Sequence, residues 1–243
     1  YLLVKDFPLA SFGNTLQSAM LKVELIKLPQ DYVPTDDRLF VAGNWPTGIA
    51  DTAGIAQWDG REWGKLDGIG TLPDAFVYDL LPRNGELIVV GNFTDPTNYI
   101  ARWDGTAWQD IGGGLNGFAK KLLQDSSDVD AFWAGGVFTV AGGVSANRIA
   151  RWNGSVWQAL GGGLTGGTPP GLDVMTMLEY DGGLLVGGYF TSAGGSPASK
   201  IAWWDGAAWN TLSSGVSAGV DYGGAVWALC LDDAGRVIAG GDF

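Results

Sequence analysis

Residues 100–108 read IARWDGTAW, and close copies stand at 55–63 (IAQWDGREW), 149–157 (IARWNGSVW) and 201–209 (IAWWDGAAW). The tryptophans set the register. Trp58, Trp103, Trp152 and Trp204 each precede an Asp-Gly or Asn-Gly pair (Asp59-Gly60, Asp104-Gly105, Asn153-Gly154, Asp205-Gly206), and Trp63, Trp108, Trp157 and Trp209 each follow five residues after the first. Successive copies are 45, 49 and 52 residues apart, a period that belongs to repeat architectures.

Upstream of each copy lies a second signature, a β-rich run closed by glycine and an aromatic: LFVAGNW (39–45), LIVVGNF (87–93), FWAGGVF (132–138), LLVGGYF (184–190) and VIAGGDF (237–243). Such a run reads as a central, buried strand whose glycines meet a close neighbour. Before three of them stand AFVYDLL, DVMTMLEY and GAVWALCL, joined through the tight turns RNG, DGG and DAG. The Trp copy adds two more strands, so each unit holds four. Four short antiparallel strands per unit, repeated with variable connections, predict an all-β chain folded as a β-propeller. The units fall at about 31–72, 73–115, 116–164, 165–216 and, in part, 217–243, or four and a half blades, with a short β segment at 1–30 before them. Because propellers close with several blades, the reading expects further blades beyond Phe243, or else an opening segment that completes the fifth sheet.

The same register gives the tryptophan motif a structural meaning. Asp-Gly or Asn-Gly supplies a positive-φ hairpin turn, and the flanking indoles are large enough to fill the gap between sheets. Asn153 in place of Asp favours this, since a catalytic carboxylate does not exchange freely with an amide. The element resembles the Asp-box hairpin of sialidase-like propellers as a kind of turn, without its serine two residues before the Asp.

Other motifs are weaker still. GVSAG around Ser217 has the form of a nucleophile elbow, yet the chain contains no histidine, so no Ser-His-Asp relay can be assembled within it. GGGLNG (112–117) and GGGLTG (161–166) match a dinucleotide fingerprint but recur at one place in the repeat, before strand-like sequence, and read as linkers. TDDR (35–38) and DSSDVD (125–130) offer oxygen ligands without EF-hand spacing and read as solvated loops rather than calcium sites. The sequons at Asn92 and Asn153 fall inside the repeat and read as turns. The single cysteine, Cys230, lies in an apolar run and reads as a small buried hydrophobe, and Trp133, Trp203 and Trp227 fall in strands and read as core.

Composition narrows the partners. The 243 residues carry a formal charge of −12, which argues against nucleic acid or an anionic membrane surface. No apolar run approaches a membrane span. The chain opens on Tyr1 rather than Met, and reads as a piece of something larger.

In the opening segment, FPLASFGN (Phe7–Asn14) followed by KVEL resembles the L-P-L…F-G-N…F-E-V segment of baseplate-hub and tail-tip proteins of long-tailed phages and gene transfer agents, although NTLQ stands where that family has a proline. The propeller repeat is similar to repeats in phage tail proteins and in bacterial and fungal surface proteins. The resemblance implies a non-enzymatic structural and interaction module without a cofactor, carried in a virion. It also implies tail or baseplate partners and a symmetric homo-oligomer. A host-surface glycan or protein would meet the variable loops, with Asp51, Thr52, Asp95, Thr97, Asn98, Ser145, Asn147, Ser196 and Ser199 as candidate contacts. The alternative is an extracellular or cell-surface carbohydrate-binding propeller, a lectin or a glycan-active enzyme.

Overall fold

The computed structural model describes residues 22–23, 39–42, 55–58, 63–66, 76–166, 173–212 and 224–242. Every regular element among them is a strand. The first sheet is β1 (Lys22–Val23), β2 (Leu39–Ala42), β3 (Ile55–Trp58) and β4 (Trp63–Lys65). The second is β5 (Phe76–Arg83), β6 (Glu86–Asn92), β7 (Ile100–Trp103) and β8 (Trp108–Gln109). The third takes β9 (Ala119–Gln124) and β10 (Phe132–Gly136), passes a small hairpin of β11 (Val140–Ala141) and β12 (Val144–Ser145), and ends with β13 (Ile149–Trp152) and β14 (Trp157–Ala159). After β15 (Leu164–Thr165), the fourth sheet repeats this plan with β16 (Asp173–Tyr180), β17 (Gly183–Tyr189), a hairpin of β18 (Ser192–Ala193) and β19 (Ser196–Pro197), then β20 (Ile201–Trp204) and β21 (Trp209–Asn210). A fifth unit contributes the pair β22 (Val226–Leu231) and β23 (Val237–Gly241).

All pairings are antiparallel, and each four-stranded sheet keeps its strands in chain order. This is a β-propeller-like arrangement of blades. The first blade takes its edge strand from Lys22–Val23, paired with Val41 and Ala42, so its sheet includes two residues of the opening segment.

The first strands of successive blades lie beside one another, β5 against β9, β9 against β16 and β16 against β22. Polar contacts join them. The buried Asp79 accepts the Leu122 amide at 2.9 Å, and Lys120 Nζ meets Asp173 Oδ2 at 2.5 Å.

Glycine spacing explains how the blades fit. Each inner strand carries a bulge near its start, and opposite it stands Gly91, Gly136 or Gly188. A Cβ at these glycines would fall on the carbonyl oxygens of Phe76, Phe118 and Asp173, so no side chain fits. One residue earlier, the second strand faces the next blade. Gly135 lies so close to Val174 that a Cβ would stand 2.5 Å from Cγ1, and Gly187 repeats this with Val226 at 2.6 Å. At the same interface between the second and third blades the sizes are exchanged: Val90 stands in the glycine's place, and Ala119 in the valine's, in one buried cluster. Between the first and second blades the pair is Ala42 and Val77.

Tryptophan then fastens the third and fourth blades each to the exit of the one before. Trp157 is buried, donates its indole N–H to the Ile111 carbonyl at 2.9 Å, and packs edge-on to Phe132 with ring centres 5.7 Å apart. Trp209 makes the same bond to Leu160 at 2.7 Å. Trp103 with Trp108, Trp152 with Trp157, and Trp204 with Trp209 are packed as tilted or edge-on pairs.

Two core assignments need correction. Trp133 is buried, and Trp203 is half-buried with its N–H on the Tyr180 carbonyl, but Trp227 is 52% exposed and Cys230 is exposed too. The reason is local to the fifth unit. A Cβ on Gly240, the counterpart of Gly135 and Gly187, would meet nothing within 4 Å, because no sheet among the described residues covers that side of β22 and β23.

Candidate functional site

Strand direction alternates, so the connections collect at two ends of the blades. One end gathers the tight turns between first and second strands and between third and fourth strands. The other gathers the second-to-third-strand loops and the linkers between blades.

At the turn end, Asn84 and Gly85 (φ +48° and +78°) and Asp181 and Gly182 (+49° and +72°) build two-residue hairpins with both centres left-handed. In the tryptophan motif, Asp104 Oδ1 accepts the Thr106 and Ala107 amides, both at 2.9 Å, and Oδ2 accepts Gln109. Asp205 does the same with the Ala207 and Ala208 amides and Asn210, and Asn153 with the Ser155 and Val156 amides. Gly105, Gly154 and Gly206 have φ of +99°, +91° and +99°. These are Asx turns in which the side chain satisfies the turn's own backbone. In the first unit Trp58 pairs with Trp63 through the backbone; Asp59 and Gly60 lie outside the described residues.

The hydrogen bonds from the Ala107 amide and from Thr106 hold the Asp104 carboxyl far below the ordinary carboxylate range, and those from the Ala208 and Ala207 amides lower Asp205 likewise. A depressed folded pKa gives stability that is present above the unfolded value and lost as pH falls through the folded one. Both turns are therefore expected to keep their charge to lower pH than a free carboxylate, Asp104 the further of the two, and to loosen as pH falls below that, while the Asn153 turn does not change. Carboxyl and amide chemical shifts followed through an acid titration test this; an ordinary midpoint at Asp104 would contradict it.

The loop end holds most of the predicted contacts. Asp95, Asn98, Ser145, Ser196 and Ser199 are exposed, and Thr97 and Asn147 are half-buried; Asp51 and Thr52 lie outside the described residues. Several also serve the frame. The Thr97 hydroxyl donates to the Ile100 carbonyl, the Asn98 carbonyl accepts the Leu115 amide at 3.0 Å, and the Asn147 carbonyl accepts the Leu164 amide at 3.0 Å. The two Gly-rich segments run between loops of neighbouring blades: Gly114 and Gly163 accept the Gly142 and Gly194 amides, each at 2.8 Å. They are linkers pinned on both sides, and strand β16 is the next described element after the second.

The acidic stretch 125–130 is also committed. Arg151 Nε donates to Asp125 at 2.7 Å and its Nη2 to Asp128 at 3.1 Å, while Ser127 donates to Asp125 through both amide and hydroxyl. Burial works to raise the Asp125 pKa, but the bonds from Ser127 and Arg151 outweigh it and leave it lowered. An arginine thus occupies the carboxylates that a cation would need. TDDR and Ser217 lie outside the described residues.

The turn end holds a feature that no repeated motif announces. Between the second and third blades lies a groove of about 560 Å³, lined by Arg83, Asn84, Glu86, Arg102, Asp110, Asp130, Phe132 and Trp152 among others. The Arg83 side chain is 9% exposed; its Nη2 donates to the Val129 carbonyl at 2.6 Å, and its guanidinium lies over the Phe132 ring, 5.4 Å from the centre. Burial lowers its pKa, against the opposing pull of Asp130, Glu86 and Asp128. Arg102 pairs with Glu86 at 3.3 Å. The Nε atoms of both arginines are buried and without a hydrogen-bond partner.

Repetition in the sequence does not mark Arg83, Asn84, Glu86 and Asp110 of this groove. The fourth unit has Tyr180, Asp181 and Gly183 where the second has Arg83, Asn84 and Glu86. At the position of Asp110 the third and fourth have Ala159 and Thr211. Departures from the repeat were the available signal.

A family model described as a domain of unknown function (DUF5122) beta-propeller matches residues 181–202. That span holds the Asp181-Gly182 turn, β17, the β18–β19 hairpin and the start of β20. No curated protein matches the sequence.

Proposed function

We propose that the chain is a non-enzymatic structural and interaction module, a propeller carried on a phage tail tip or baseplate in a symmetric homo-oligomer and able to meet a host surface through its loop end. The observation that carries the structural part is the use made of the repeated polar residues: Asp104, Asn153 and Asp205 are hydrogen-bonded to their own turns, not to a shared centre. The phage setting rests on the FPLASFGN segment. The exposed serines of the β11–β12 and β18–β19 hairpins support the recognition role, since short polar side chains on a rigid frame suit adaptable contacts.

Antibody raised against the propeller should decorate the tail tip of intact particles under negative-stain electron microscopy, and the protein should co-sediment with them. A protein recovered only free, with undecorated particles, would refute the virion reading.

A further inference from the structure

We propose that Asn84 is a site of spontaneous covalent modification: its side-chain amide closes a ring on the Gly85 nitrogen, ammonia is lost, and aspartyl and isoaspartyl forms of the second blade's hairpin result. This concerns the chain's own chemistry, not its partners, and does not depend on the reading above. The sequence holds three Asn-Gly pairs, Asn84-Gly85, Asn116-Gly117 and Asn153-Gly154. All three are prone to this reaction, because asparagine is thermolabile and glycine puts no side chain in the way of the attack. The fold separates them.

In two of the pairs the asparagine is locked. Asn116 Oδ1 accepts the Thr139 and Val140 amides at 2.8 and 2.9 Å, and its Nδ2 donates to the Thr139 hydroxyl at 2.9 Å. Asn153 Oδ1 accepts the Ser155 and Val156 amides at 3.0 and 2.9 Å. Swinging either side-chain carbonyl carbon onto the next backbone nitrogen breaks those bonds. Asn84 is exposed, and its Nδ2 lies 3.4 Å from the Val129 carbonyl, beyond the usual range of such bonds. The space around the glycines differs too. A Cβ on Gly85 would meet nothing within 4 Å, whereas one on Gly117 would stand 3.3 Å from Phe138 Cα and one on Gly154 3.0 Å from Asp130 Cβ. Arg83 pairs with Glu86 to close the turn, so the Gly85 amide lies outside the strand ladder.

The Gly85 nitrogen gives its proton to water or hydroxide and bonds to the Asn84 side-chain carbonyl carbon. The bond from that carbon to Nδ2 breaks, ammonia leaves, and a cyclic imide remains. Water then opens the imide at either carbonyl. Opening at the side-chain carbonyl gives aspartate at position 84; opening at the main-chain carbonyl routes the backbone through the side chain and lengthens it by a carbon. The fold treats the two products differently. Asp181 and Gly182 build the same turn in the fourth blade, with φ of +49° and +72° against +48° and +78°, so the aspartyl form is accommodated. The isoaspartyl form adds an atom to a tight turn held in register by Arg83 and Glu86. It thereby strains Arg83, whose Nη2 bonds the Val129 carbonyl of the next blade at 2.6 Å.

Peptide mapping by mass spectrometry tests this, after the chain has stood in mildly alkaline buffer, once folded and once in denaturant. In the folded chain, conversion at Asn84 is expected to run roughly ten-fold or more faster than at Asn116 or Asn153, whose hydrogen bonds must break first. In denaturant the three rates are expected to come together, because the fold imposes the order. Conversion at Asn116 or Asn153 as fast as at Asn84 in the folded chain would overturn the proposal, and so would the same order persisting in denaturant. Asn84→Asp is expected to melt with the parent, and a fraction enriched in the isoaspartyl form to melt below it. An Asn84→Asp chain that melts well below the parent would overturn the tolerance assigned to the turn.

Discussion

Gly135→Val is expected to destabilise the propeller by about 3 kcal/mol, and adding Val174→Ala is expected to return a substantial part of that loss. The mechanism is overpacking at the joint between the third and fourth blades. A side chain at 135 would run into Val174 Cγ1 and approach Met177 Sδ at 3.2 Å, in a core without room to relax. The rescue follows from the molecule itself, which already uses Val90 with Ala119 one joint earlier. Equilibrium denaturation of the two single variants and the double variant gives the coupling energy, expected at about 1–2 kcal/mol. Additive effects would show that the two positions do not share one space.

A second large effect is expected at Trp157. Replacement by alanine removes a buried indole, its edge-on contacts with Phe132 and Trp152, and the bond to the Ile111 carbonyl, at a cost of about 3–5 kcal/mol. Trp157→Phe keeps most of the packing and loses the donor, so about 1–2 kcal/mol is expected. The two variants together separate packing from hydrogen bonding. Equal losses would mean that the bond to Ile111, not the indole volume, holds the blades together.

Most of the frame was legible because it repeats. Tryptophan spacing, Gly-aromatic strands and Asx-Gly turns each occur several times, and every copy constrains the others; the four-stranded sheets and their order follow from that agreement. Burial was legible only where a neighbour blade exists. Trp227 and Cys230 sit in apolar sequence just as Trp133 does, yet Trp133 has the fourth blade against it, while among the described residues no further sheet follows β22 and β23 to cover them. The pairing of Lys22–Val23 with β2 was hidden for another reason: a two-residue edge strand has no period to detect. The groove was hidden because it depends on residues from two units meeting across a joint. Arg83 comes before the second central strand, Asp130 before the third, and only the docking of sheets makes them neighbours.

Near-identical repeats carry a hazard during folding, because a blade can dock on the wrong partner and trap the chain. Here each joint carries its own size match: alanine against valine, valine against alanine, then glycine against valine twice. If the second blade docked against the fourth, Val90 would meet Val174, two branched side chains in a space that elsewhere admits one. The side-chain volume at this joint thus opposes one specific misassembly, in addition to the constraint that chain connectivity supplies.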